Sequence, residues 1–141
     1  MDRNSAYTGK MNKKIMILSL IAAALAVFSS IGVKTFLGPC VHEDGTFGVC
    51  HWAGQAMFGI SLLIGAEGLA AVFWKNNEAR RGILFSMAAA SVLGICIPGR
   101  MIGLCSMAVM RCRALMQPAM TILFAVMGIV SAVGCLLIRK E

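Results

Sequence analysis

The sequence predicts an all-α integral membrane protein: a bundle of four transmembrane helices, built as two similar helical hairpins, with both termini in the cytoplasm. Apolar residues make up 59% of the 141 residues and charged residues only 13%, which is far from the composition of a soluble domain. The apolar residues fall into four blocks, and the basic residues collect mainly on one side of them. These observations together indicate a multi-pass membrane protein with a defined orientation.

The four apolar blocks are predicted to form one membrane domain over residues 15–141, after a basic cytoplasmic segment over residues 1–14. A helix rises about 1.5 Å per residue and the hydrocarbon layer is about 30 Å thick, so a span needs roughly 20 residues. The third block is short, and we expect it to gain length by continuing past Pro98. The predicted spans are residues 15–33, 53–74, 82–101 and 115–138.

The distribution of basic residues predicts the orientation. Nine of the thirteen lie on one side of the blocks: Arg3, Lys10, Lys13, Lys14, Lys75, Arg80, Arg81, Arg139 and Lys140. The other four lie on the opposite side: Lys34, Arg100, Arg111 and Arg113. The positive-inside rule places the richer side in the cytoplasm. Because the basic residues bracket the spans and form no single patch, we expect lipid as a partner and no nucleic acid.

The two halves of the chain resemble each other. Cys50-His51-Trp52-Ala53-Gly54-Gln55 matches Cys112-Arg113-Ala114-Leu115-Met116-Gln117: a cysteine, then His51 or Arg113, then a glutamine that opens a span. Each half has two crossings, so both halves share one orientation and a pseudo-symmetry axis runs along the membrane normal. We expect Gln55 and Gln117 to form hydrogen bonds between helices across this axis.

Four cysteines fall in the two predicted outer loops: Cys40, Cys50, Cys105 and Cys112. An outer compartment is oxidising, so these residues are candidates for structural disulfides that staple short loops. Four cysteines allow three connectivities, and the sequence does not choose among them. Cys96 and Cys135 lie within spans and are interpreted as apolar packing residues.

A first alternative for the outer cysteines is thiol–disulfide exchange with a quinone as cofactor. A four-helix bundle with a cysteine pair in each outer loop resembles the architecture of the bacterial quinone-linked disulfide oxidases. His51 and Arg113 directly follow cysteines, and a cationic neighbour lowers the pKa of a thiol and favours exchange. The Cys-x-x-Cys spacing of those enzymes is absent from this sequence, so a structural role remains the leading interpretation.

A second alternative is capture of a soft metal ion such as Cu(I), which thiolate and thioether ligands suit. Soft ligands on the outer side are the four loop cysteines with His42, His51, Met101, Met107, Met110 and Met116. These residues show no tight ligand spacing, and methionines in an apolar chain commonly serve as packing residues. No metal site is therefore predicted.

Glu67 is the one acidic residue inside a predicted span. An ionisable group at this depth is energetically expensive, so it is a functional hypothesis by default. The other interpretation is a protonated carboxyl that is hydrogen-bonded to a neighbouring helix. The aligned position in the second half is Ile129, so the acid breaks the repeat symmetry.

The two cysteine loops carry a resemblance to a known family. The runs Gly38-Pro39-Cys40 and Cys50-His51-Trp52-Ala53-Gly54-Gln55, with the later Gly103-Leu104-Cys105 and Arg111-Cys112-Arg113, resemble a family of small bacterial four-span proteins catalogued as a domain of unknown function. The resemblance covers nearly all of the chain from the first span onward. It implies the four-span fold, matching cysteine loops and a bacterial cytoplasmic membrane location, but no activity.

The leading functional hypothesis is a non-enzymatic accessory or partner subunit whose stapled outer loops present a recognition surface. No phosphate-binding glycine loop, zinc-protease helix or nucleophile elbow occurs in the sequence, so we expect neither a catalytic residue nor a cofactor. The family's association with export-type ABC transporter permeases implies a membrane protein partner, and a homo-oligomer is the other expectation.

Overall fold

The structure is a computed structural model, and it describes residues 13–37, 48–104 and 112–139. Four α-helices follow one another in this part of the chain. They are α1 (Lys13–Lys34), α2 (Val49–Phe73), α3 (Asn77–Cys96) and α4 (Gln117–Arg139), and a π-helical turn over Cys112–Met116 leads into α4. Each helix, for α4 together with its π-helical turn, is long and apolar enough to cross a membrane. The predicted all-α, four-span membrane fold is confirmed.

The helices form a ring in which every helix packs against its neighbours in sequence. The closest packing joins α1 to α2 and α3 to α4, and smaller interfaces join α1 to α4 and α2 to α3. The three-residue connection between α2 and α3 makes these helices antiparallel. This pattern, two tight hairpins joined by two equivalent weaker interfaces, is the one that a two-fold repeat predicts.

Glycines set the close approach within each hairpin. A Cβ added to Gly68 of α2 would lie 3.0 Å from the Ala23 Cβ of α1, and one added to Gly65 would lie 3.6 Å from the Ala26 Cβ. In the second hairpin, a Cβ on Gly128 of α4 would lie 3.2 Å from the Ser91 Cβ of α3. Small residues allow the backbones to approach closely, and this contact drives helix association in lipid.

The centre of the bundle is filled by side chains. The largest of those that are almost fully buried are Phe124, Ile15, Met57, Ile64, Leu84, Met87, Met116, Met120 and Met127. The outer surface also carries large apolar side chains, including Phe73, Phe85, Ile122 and Ile129, which are exposed by 62–80%. A bundle that is apolar both inside and outside is suited to lipid and not to water.

The bounds of α3 differ from the predicted third span. The helix begins at Asn77, because the Asn76 side chain accepts a hydrogen bond of 3.0 Å from the Glu78 amide. It ends at Cys96, and Gly99 follows with a positive φ of 89° in a turn closed by a 3.0 Å bond from the Gly99 amide to the Ile102 carbonyl. The helix therefore gains length at its charged N-terminal end and not beyond Pro98.

Candidate functional site

The first of three polar sites lies where α1 ends and α2 begins. The Lys34 ammonium donates to the Gln55 Oε1 at 2.9 Å, and the Gln55 Nε2 lies 3.3 Å from the His51 Nε2, one helical turn away. The same ammonium lies 4.6 Å from the centre of the Phe58 ring, within the range of a cation–π interaction. Lys34, missed by sequence reasoning except as a charge, is therefore held in place from two sides.

The second half of the chain repeats this arrangement in a different form. Gln117 opens α4, and its Nε2 lies 2.8 Å from the position that a Cβ on Gly99 would occupy. Each glutamine thus meets the chain at the end of the preceding helix in its own hairpin. We expected Gln55 and Gln117 to bond across the pseudo-axis, and the contacts of the structure lie within each hairpin instead. Arg113, the counterpart of His51, lies exposed on the π-helical turn.

Gly99 yields a testable prediction. Replacing Gly99 by alanine should destabilise the protein by about 1–3 kcal/mol, because the positive φ strains a Cβ-bearing residue and the new methyl group would meet Gln117. Gly103 lies in the same connection and a Cβ there meets nothing within 4 Å, so Gly103→Ala is the matched control. The measurement is the unfolding free energy in detergent micelles. Equal stability of the two variants would contradict the prediction.

The cysteines are described only in part. Cys50 and Cys112 are buried at equivalent positions, in the first turn of α2 and at the start of the π-helical turn. Cys40 and Cys105 lie outside the described residues, so the predicted loop disulfides stay a prediction. Of the other two cysteines, Cys135 packs near the Arg81 carbonyl, with a sulfur–oxygen distance of 3.9 Å.

The described ranges contain no cluster of three His, Cys, Asp or Glu side chains that is suited to a metal ion. Five of the soft ligands considered from the sequence lie outside these ranges: Cys40, His42, Cys105, Met107 and Met110. The copper hypothesis is therefore neither supported nor tested by the geometry.

The second polar site joins α2 to α3 within the membrane. Ser86 of α3 donates a hydrogen bond of 2.7 Å to the Glu67 Oε1 of α2. The other carboxyl oxygen, Oε2, is buried and has no hydrogen-bond partner among the described residues. Glu67 precedes the helix end at Phe73 by six residues, or about 9 Å of rise. Sequence reasoning found the acid, but it missed Ser86 because the partner depends on helix register.

The third polar site is a buried arginine at the predicted cytoplasmic end. Arg80 is only 2% exposed, and its Nε donates to the Ala71 carbonyl at 2.9 Å. One terminal nitrogen donates to the Trp74 carbonyl, and the other to the Asn77 Oδ1 at 3.2 Å. The guanidinium therefore satisfies carbonyl groups that α2 leaves open at its C-terminus. The sequence analysis treated Arg80 only as an orientation signal.

Comparison with known proteins assigns a family. Residues 19–137 match the family model of DUF4418, a domain of unknown function. No curated protein and no solved structure matches the chain. The matched region begins within α1 and ends within α4, so it contains all the helix interfaces and the three polar sites described above. Because the match covers most of the sequence, the chain belongs to the DUF4418 family.

Proposed function

We propose that this protein is a non-enzymatic membrane subunit that binds a partner membrane protein through the α2–α3 face around Glu67 and Ser86. The observation that carries the proposal is the state of this pair. The Glu67 Oε2 is buried without a hydrogen-bond partner among the described residues, and Ser86, which bonds to the other oxygen, is exposed on the outer surface of the bundle.

Lipid cannot satisfy polar groups of this kind. An unpartnered carboxyl oxygen in hydrocarbon is energetically unfavourable, and polar side chains inside the membrane commonly bond to another helix. A partner helix that covers Ser86, and donates to the carboxyl group once the Glu67 side chain turns outward, would remove this penalty. Large apolar side chains on the same helix faces, Leu63 one turn before Glu67 at 50% exposure and Leu93 two turns after Ser86 at 52%, supply further contact area.

Two further features favour a binding role over transport or redox catalysis. The interior of the bundle is filled by side chains with no exposed surface: Met57, Met87, Met120 and Phe124. These side chains leave no channel between the described helices. Cys50 is only 2% exposed and Cys112 is fully buried. Thiol–disulfide exchange needs an accessible thiol, which favours the structural role for these two residues.

The proposal extends to location and partner class. We place the protein in the bacterial cytoplasmic membrane with both termini inside, as the charge bias of the sequence favours. The partner class is the permease of an export-type ABC system, with a second copy of this chain as the competing occupant of the face. Outer loops stapled by disulfides would add a second contact surface outside the membrane.

Site-specific photo-crosslinking in native membranes tests the proposed face. A photo-reactive residue at position 63, one helical turn before Glu67 and 50% exposed in the wild type, should give a discrete crosslinked protein band, which mass spectrometry then identifies. The matched control is position 129 on α4: Ile129 is 64% exposed, also faces outward and is the repeat counterpart of Glu67. Bands of equal intensity from the two positions, or lipid adducts alone at position 63, would refute the proposal.

Variants of Glu67 show whether the carboxyl group matters. Glu67→Leu should reduce the yield of the position-63 crosslink by roughly threefold to thirtyfold, since interhelical hydrogen bonds in membranes contribute about 0.6–2 kcal/mol. Glu67→Gln keeps the shape and the hydrogen-bonding groups, and should retain most of the yield. A crosslinked species at twice the mass of the chain would identify a homodimer and exclude a separate permease partner at this face.

A further inference from the structure

A groove between α1 and α2 begins at the first polar site, with which it shares Lys34 and Phe58. It has a volume of about 360 Å³. Its apolar walls are formed by Val27 and Ile31 of α1 and by Phe58 and Leu62 of α2, and Lys34 lies at the end nearest the α1 C-terminus. From Lys34 to Val27 the helix rises about 10 Å. The groove therefore runs from the level of the membrane interface into the level of the acyl chains.

Among the described residues that line the groove, Lys34 carries the positive charge, and its hydrogen bond to Gln55 fixes the position of the ammonium group. The Lys34 ammonium has three N–H donors, and Gln55 accepts one of them at 2.9 Å. The two lining hydroxyls already donate to the backbone, from Ser30 to the Ala26 carbonyl at 2.9 Å and from Thr35 to the Ile31 carbonyl at 2.8 Å. Among the described lining residues, Lys34 is therefore the donor that can meet an anion.

We propose that this groove binds an anionic phospholipid, with the phosphate at Lys34 and one acyl chain along Ile31 and Leu62. The ligand must combine a negative charge at the interface with an apolar chain below it, which is the chemistry of such a lipid. A partner helix fits less well, since a helix about 10 Å across occupies roughly 800 Å³ over a 10 Å length. The groove encloses less than half of that volume.

The test uses the full-length protein purified in a mild detergent and measures bound lipid by native mass spectrometry. The probes are phosphatidylglycerol and phosphatidylcholine with identical acyl chains. The wild-type protein should retain phosphatidylglycerol preferentially. Lys34→Gln should weaken that binding about fivefold, the effect of one basic residue near an anionic headgroup. Lys75→Gln, which removes an exposed cation at the opposite end of the bundle, should leave the binding unchanged.

A second variant tests the groove separately from the charge. Leu62→Trp keeps Lys34 but fills the space between the helices, and it should lower retention of both lipids at this site. The proposal is wrong if Lys34→Gln and Lys75→Gln lose equal amounts of bound phosphatidylglycerol. It is also wrong if the wild type retains the two lipids equally, or if Leu62→Trp does not lower lipid retention. These outcomes are independent of the partner proposal, because Glu67 bonds to α3 and lies outside the groove.

Discussion

Replacing Gly94 by alanine should destabilise the bundle by about 3 kcal/mol, at the upper end of the usual cost of overpacking a core. A Cβ on Gly94 of α3 would lie 2.6 Å from two carbon atoms of the Phe124 ring of α4. The ring is fully buried among core residues, so it has little room to move. The hairpin of α3 and α4 must therefore open or the ring must leave its rotamer.

The measurement is the free energy of unfolding in mixed micelles, titrated with a denaturing detergent. Gly82→Ala is the matched control, because Gly82 also lies within α3 and a Cβ there meets nothing within 4 Å. The control should be neutral or slightly stabilising, since alanine favours helix over glycine. Adding Phe124→Leu to Gly94→Ala should recover part of the loss. A stable Gly94→Ala variant would show that the α3–α4 packing differs from the one described.

Composition and charge were enough to predict the membrane fold, because a span is a local property of about 20 consecutive residues. The ends of α3 were less predictable. A hydropathy reading stops at charged residues, so it excluded Glu78 and Arg80, although both belong to the first turns of the helix. Asn76 was the signal that could have placed the start, since asparagine is a preferred N-cap residue.

The polar sites were predictable only as single residues. Glu67 was found because an acid inside an apolar block is conspicuous in a sequence. Its partner Ser86 is 19 positions away, and the contact depends on how α2 and α3 pack. The repeat identified Gln55 and Gln117 as equivalent, but the hairpin packing determined that each meets the end of the preceding helix. A contact between two helices depends on how far one helix is shifted and rotated relative to the other. The periodicity of a single helix does not provide this information.

Arg80 shows how one residue type serves two purposes that a sequence does not separate. Arg80 and Arg81 are adjacent and equally basic, so both count equally toward the orientation of the protein. Only Arg80 turns into the bundle, where it is 2% exposed and bonds to the Ala71 and Trp74 carbonyls at the end of α2. Its removal should therefore affect the folded state in a way that removal of Arg81 does not.

Arg80→Ala should lower the unfolding free energy by about 2–4 kcal/mol, since each buried carbonyl left without a donor costs about 1–3 kcal/mol. Arg81→Ala removes the same charge from the same turn of α3 and should change stability by less than about 0.5 kcal/mol. Arg80→Lys keeps the charge but has no planar fork to reach Ala71 and Trp74 together, so its stability should lie between the two. The same detergent titration measures all three variants.

Topology must be measured beside stability, because a charge change near a span also affects insertion. Labelling of a cysteine introduced in the connection between α2 and α3 should give the same orientation for Arg80→Ala and Arg81→Ala. If the two variants lose equal stability, Arg80 acts through its charge alone and the capping role is wrong. If Arg80→Ala alone is unstable and its orientation is unchanged, the hydrogen bonds to the α2 carbonyls hold the α2–α3 connection in place.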